Sequence, residues 1–139
     1  MEQSSESRPN GKTILIVDDE FGVLEVLEFI LSDLGYHVVA ALNGQEALAR
    51  LRDCAPDLIV LDLMMPIMDG AAVLQTMQSN GKYSKIPVIL TSALREQNVK
   101  ERCSGYSLFL RKPFKTDKLL ESIQQLLAAA PAKSKPEQK

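Results

Sequence analysis

Hydrophobic residues follow two alternating rhythms along this chain. Short unbroken apolar runs stand at Thr13-Ile14-Leu15-Ile16-Val17, Leu58-Ile59-Val60-Leu61 and Val88-Ile89-Leu90. Branched apolar runs without polar alternation read as strands covered on both faces, as in a parallel sheet. Weaker runs at 37–41 and 108–110 read as two further strands. Between them, apolar residues recur with helical spacing. The first such stretch, about 21–34, carries Val23, Val26, Leu27, Ile30, Leu31 and Leu34 on one stripe, and Gly35 stops it. Leu24 and Phe29 fall off that stripe and read as a broadening of the buried face, with a partner-facing surface as the less favoured alternative. Asn43 and Glu46 form a capping-box-like start for a second helix, which runs to about Arg52. A third is predicted over 71–78, a short one over 96–102, and a last one N-capped by Thr116 with Leu119, Leu120, Ile123 and Leu127 inward.

Strands alternating with helices predict an α/β fold: a doubly wound, five-stranded parallel sheet with helices on both faces. The chain has 139 residues, enough for one core and too few for two ordinary domains. Residues 1–11 and 129–139 are polar or Ala/Pro/Lys-rich and read as flexible tails around one domain at 12–128. The formal charge of −2 gives no reason to expect direct nucleic-acid binding. No apolar stretch suits a signal peptide or a membrane span, so a cytoplasmic protein without membrane contact is expected. Cys54 and Cys103 lie far apart and outside any metal-binding spacing, and read as reduced thiols.

The chemistry lies at the strand ends. The Leu58–Leu61 run passes straight into Asp62, and the first strand passes into Asp18-Asp19-Glu20. Ligands of open α/β sheets bind outside the carboxyl ends of the strands. Two buried-strand patterns ending in acid therefore predict one shared acidic pocket. Ser92 and Lys112 fall at the same edge. The lone histidine, His37, reads as a plain strand residue, and no Gly-rich phosphate loop is present.

These residues, together with Asn43-Gly44-Gln45-Glu46-Ala47-Leu48, Pro56-Asp57, Leu63-Met64-Met65-Pro66, Met68-Asp69-Gly70, Ile86-Pro87 and Lys112-Pro113-Phe114, stand in an order and spacing that resembles the receiver domains of two-component response regulators. The resemblance spans about residues 12–128. It implies the flavodoxin-like strand order 2-1-3-4-5 and a phosphorylation-dependent signalling switch. Asp62 would be the phosphoacceptor, charged by a partner histidine kinase or phosphotransfer protein. Mg2+ (or Mn2+) would be held by Asp19 and Asp62 directly, by Asp18 through water and by the Met64 backbone carbonyl. Lys112 would pair with the phosphoryl group, as would the Ala93 backbone amide and the Ser92 hydroxyl. Counting five residues on from Pro87 selects Ser92 over Thr91. Ser92 and Phe109 would form the switch, and the Lys112–Pro113 bond would be cis. The span from Ser92 to Lys112 is about two residues shorter than usual, which predicts a short or irregular helix before the fifth strand.

The reading is of a stand-alone regulator, not an enzyme: it would catalyse only its own phosphorylation and dephosphorylation. Two alternatives remain at this point. One is an aspartyl-phosphate phosphatase or phosphotransferase. It is disfavoured because the second acid expected two residues past the nucleophile is Met64. The other is a receiver fragment of a longer hybrid kinase or regulator.

Overall fold

A computed structural model describes residues 11–129. Five strands and five helices alternate as β1 (Thr13–Val17), α1 (Phe21–Asp33), β2 (His37–Ala41), α2 (Gly44–Cys54), β3 (Leu58–Asp62), α3 (Gly70–Gln78), β4 (Val88–Ser92), α4 (Glu96–Lys100), β5 (Leu108–Arg111) and α5 (Thr116–Ala129). The strands form one sheet, all neighbours parallel, in the order β2-β1-β3-β4-β5. The expected doubly wound architecture and strand order are both present. Apart from Gly11 and Ala129, the two tails predicted at the ends lie outside the described residues.

Strand alternation sorts the core into two layers. Ile14, Ile16, Leu58, Val60, Ile89 and Leu110 pack with Leu24 and Leu31 of α1 and Leu119 and Ile123 of α5. Leu15, Val17, Ile59, Leu61, Val88 and Leu90 pack with α2, α3 and α4 through Leu51, Val73, Leu74, Met77 and Val99. β3 and β4 are buried at every position, as their unbroken apolar runs require.

The first helix is turned relative to its expected stripe. Leu24 is buried, whereas Val26 and Leu34 are exposed and Phe29 is 75% exposed. Leu24, Leu27 and Leu31, at helical spacing, fit the groove beside β1, and that choice turns Phe29 to the opposite side. The exposed side of α1 thus carries Phe21, Val26 and Phe29 among the acids Glu25, Glu28 and Asp33.

α2 is capped as its sequence requires. Asn43 accepts from the Glu46 N–H at 2.9 Å, and Glu46 accepts from the Leu42 N–H at 2.8 Å. α4 has only five residues, matching the shortened span before β5. Thr116 is the first residue of α5 rather than its cap. The preceding Lys115 carbonyl accepts from Lys118 and Leu119, so the cap position is one residue earlier than expected.

Candidate functional site

Sheet geometry brings the acids together. Ile14 and Ile16, Leu58 and Val60, and Leu108 and Leu110 form rows facing α1 and α5. The next residue in each row is Asp18, Asp62 and Lys112. Because Val17 is in register with Leu61, Asp18 lies level with Asp62 on the neighbouring strand. One period-two pattern therefore places both carboxylates on one face at the carboxyl edge. Lys112 sits one residue past β5, and its long stem reaches back across β4. Its Nζ lies 2.9 Å from Asp18 Oδ2 and 3.5 Å from Asp62 Oδ1. The other Asp18 oxygen accepts from the Glu20 N–H at 2.9 Å. Asp19 is exposed at the rim, and carboxylate oxygens of Asp18, Asp19 and Asp62 all lie within 4.8 Å of one another.

The electrostatics follow from that crowding. Asp62 is only 4% exposed. Burial pushes its carboxyl up to about 6; the charges of Asp18 and Asp19 act in the same direction and Lys112 opposes them. For Lys112 burial favours the neutral form, but bonding and charge from Asp18 and Asp62 outweigh it and raise its pKa. The ammonium therefore stays charged at neutral pH. Three carboxylates against one ammonium leave excess negative charge. Clustered hard oxygen donors with such an excess fit a small divalent cation of the magnesium type.

The hydroxyls diverge as alternation demands. Thr91 is in register with Asp62 and faces α1. Ser92 continues the Val88–Leu90 row toward α4, the side on which Phe109 packs. The register Leu90↔Phe109 and Ser92↔Arg111 puts the ring one step below Ser92 on the same face. The Ser92 Oγ accepts from the Leu94 N–H at 3.1 Å. Ala93 is exposed and lines a groove of about 810 Å³ with Lys112, Pro113, Phe114 and the α1 residues Gly22, Val23 and Val26. The Lys112–Pro113 bond is cis, as expected.

Met64 follows Asp62 in the β3–α3 loop and is half exposed, with Arg102 Nη1 3.7 Å from its sulfur. The loop turns tightly at Ile67, whose φ of 69° lies in the left-handed region, with the Met68 N–H donating to the Pro66 carbonyl at 2.7 Å. Two glycines seat it. The Gly44 N–H donates to the Met68 carbonyl and the Gly70 N–H to the Leu63 carbonyl. A Cβ on Gly70 would meet the Asp62 carbonyl oxygen at 2.5 Å. Sequence reasoning noted both glycines only as parts of a motif. It missed the pairing of Tyr106 with Phe109, whose ring centroids are 6.4 Å apart, and the bond from the Tyr106 hydroxyl to Glu96. The available signal was an aromatic residue just before β5.

Comparison with known proteins agrees with this geometry. The profile of the response regulator receiver domain matches residues 14–124, and the chain belongs to that family. It is thus a receiver domain of two-component signalling. A Cyanophora paradoxa protein named probable transcriptional regulator ycf27 is 42% identical over 122 residues, covering 85% of this chain and 49% of the relative. Protein PilG of Pseudomonas aeruginosa is 32% identical, over 86% of this chain and 90% of its own. The chain spans about half the length of the ycf27 relatives it matches. Among solved structures, the receiver domain of a histidine kinase from Syntrophus aciditrophicus superposes with a TM-score of 0.80 at 34% identity, covering 88% of this chain and 96% of that one. The receiver domain of a Pseudomonas aeruginosa sensor histidine kinase, solved with magnesium coordinated in its active-site cleft, gives 0.79 at 28% identity over 86% and 100%. No helix among the described residues is long and apolar enough to cross a membrane.

Proposed function

We propose that Asp62 accepts a phosphoryl group in a magnesium-dependent reaction, from the phosphohistidine of a histidine kinase or phosphotransfer protein, and that the phosphorylated domain presents a changed protein-binding surface. The observation that carries this reading is the packing of Asp18, Asp19 and Asp62 within 4.8 Å of one another beside the Lys112 ammonium. An Asp62 carboxylate oxygen attacks phosphorus, the phosphorus–nitrogen bond to the donor breaks, and the leaving imidazole takes up a proton. Magnesium, when bound, neutralises phosphoryl oxygens and draws the anionic donor in. Asp19 and Asp62, with the Met64 carbonyl, are assigned as its direct ligands. Asp18 already uses one oxygen on Lys112 and the other on the Glu20 amide, which suits a role through water. Lys112, the Ala93 amide and Ser92 receive the phosphoryl oxygens. The domain turns over no outside substrate: the residue two past Asp62 is Met64, which can neither give nor take a proton.

The apolar-walled groove between α1 and the β5–α5 loop opens beside Lys112 and offers a seat for the donor protein. The match to PilG over 90% of that protein's own length supports a regulator of about one receiver domain in size. The half-length match to ycf27 supports a second reading, in which the domain is one part of a larger regulator. The mass of the native protein on an immunoblot separates them.

A small phosphodonor with magnesium should add one phosphoryl group. Asp62→Asn should abolish the mass shift, as should a chelator. Labelling that persists in either case overturns the assignment. Ser92→Ala should leave labelling largely intact while uncoupling it from the Phe109 ring shifts, and Thr91→Ala should do less.

A further inference from the structure

We infer that Tyr106 is a positioning residue of the switch, carrying movement of Phe109 to α4 through its hydrogen bond to Glu96. The inference rests on the proposed roles of Asp62, Ser92 and Phe109.

α4 has little to hold it in place. A five-residue helix has no stability of its own in water, because the first turn fixes several residues for one hydrogen bond. Its cap residue, Arg95, makes no side-chain cap bond. Its position therefore depends on tertiary ties. One is Val99, fully buried against the α3–α4 side of the core. Another is Tyr106, whose hydroxyl donates to Glu96 Oε2 at 3.1 Å in the first turn of the helix. The same Tyr106 ring lies 6.4 Å from the Phe109 ring, tilted by 56°, and both pack on the core layer that contains Leu90 and Val99.

The tie is asymmetric in a way that suits a relay. Phe109 has no polar atom, so its movement can act on α4 only by displacing what touches it. Tyr106 is one of its neighbours in that layer, beside Val99, and the phenol has one apolar face for Phe109 and one polar tip for Glu96. Burial and the neighbouring Glu96 carboxylate raise the Tyr106 pKa, so the hydroxyl remains a donor at neutral pH. A shift of the Phe109 ring toward Ser92 withdraws support from Tyr106 and changes the bond that holds the start of α4. Glu96, Phe109, Arg95, Arg111 and Lys118 line one groove, so the same movement changes the shape and charge of that surface.

The test is amide hydrogen exchange and ring-proton NMR on the full chain, with and without beryllium fluoride plus magnesium as the acyl-phosphate mimic. In the parent protein the mimic should shift Phe109 and change exchange at residues 96–100 by about two- to tenfold, the range of one exposed hydrogen bond. Tyr106→Phe keeps the ring and removes the hydroxyl. Phe109 should still respond while the α4 response falls to under about twofold. Glu96→Gln, which keeps an acceptor oxygen, should retain the response, and Glu96→Ala should lose it. A parent-like α4 response in Tyr106→Phe overturns the relay while leaving the switch intact. So does an equal change of α4 exchange with and without the mimic, which would mark a merely structural bond. Absence of any Phe109 response in the parent protein overturns the switch, and the relay with it.

Discussion

Lys112 Nζ stands closer to Asp18 than to the candidate acceptor, 2.9 Å against 3.5 Å to Asp62. Asp18 thereby holds the ammonium beside Asp62, where under the proposed function it would meet a phosphoryl group. Lys112→Ala leaves two buried carboxylates without their counter-charge. It should destabilise the magnesium-free protein by roughly 1–3 kcal/mol and raise the Asp62 pKa further. Urea unfolding at neutral pH checks the first effect and carbon-detected titration of Asp62 the second. Unchanged values for both would remove Lys112 from the site's charge balance.

Asp62 should make the magnesium-free protein less stable as pH rises from about 4 to 6. Its folded-state pKa, about 6, lies above the ordinary 3.8, so across that window the folded chain binds more protons than the unfolded one. Stability falls with rising pH through the window and levels off above about 6. The full effect is on the order of 2–3 kcal/mol at neutral pH. Asp62→Asn should recover stability of that order at pH 7 and little at pH 4. Magnesium should reduce the gain, because the cation takes over the compensation. A pH-independent difference between the two proteins would contradict the assignment of the raised pKa to burial.

Gly70→Ala should damage the site without touching an ionisable group. The added Cβ would press on backbone, at 2.5 Å from the Asp62 carbonyl oxygen and 2.9 Å from Leu63 Cα, where no side chain can swing away. We expect a loss of about 1–3 kcal/mol, the usual cost of overpacking, and slower phosphorylation of Asp62. Gly22→Ala, where the added carbon meets open space, is the control and should leave stability near that of the parent. Thermal melts of the two variants and a phosphorylation time course give the comparison.

The phosphorylated domain should lose its phosphoryl group slowly. By likeness to other receiver domains, Met64, two residues past Asp62, and Leu94, two past Ser92, would flank the approach of a hydrolytic water under the proposed function, and neither can orient it by hydrogen bonding. Leu94 is half buried against the core, and Met64 is half exposed with Arg102 at its sulfur. The expected lifetime is many minutes or longer, read from decay of purified phosphoprotein in magnesium buffer. Met64→Asn combined with Leu94→Glu should shorten it. Decay within seconds in the parent protein would remove the shielding argument.

Much of this protein was legible because its signals are local. The apolar run Leu58–Leu61 set β3, and the period of two that makes a strand also sends Asp62 onto the face of Leu58 and Val60. The shortened span before β5 announced a minimal α4. Ser92 is selected over Thr91 by counting from Pro87 on the receiver pattern, and the structure sends the two side chains to opposite faces of the sheet. The α1 stripe misled because Val23, Val26, Leu27, Ile30 and Leu31 are all apolar, so several rotations of the helix satisfy the sequence. Packing against β1 selected the one that buries Leu24 and exposes Val26 and Phe29.

The sequence by itself determined the order of elements, the parallel sheet, and the acid at the ends of β1 and β3, since each depends only on the spacing of neighbouring residues. Tertiary structure alone decided the partners. Lys112 meets Asp18 across 94 positions of chain because the β1–β3–β4–β5 register brings those strand ends to one edge. Gly70 must lack a side chain because the β3–α3 loop folds back on the carbonyl of Asp62. Tyr106 meets Glu96 because the connection from α4 to β5 folds back beside the first turn of α4. Such contacts depend on register and packing between distant segments, which local periodicity does not encode.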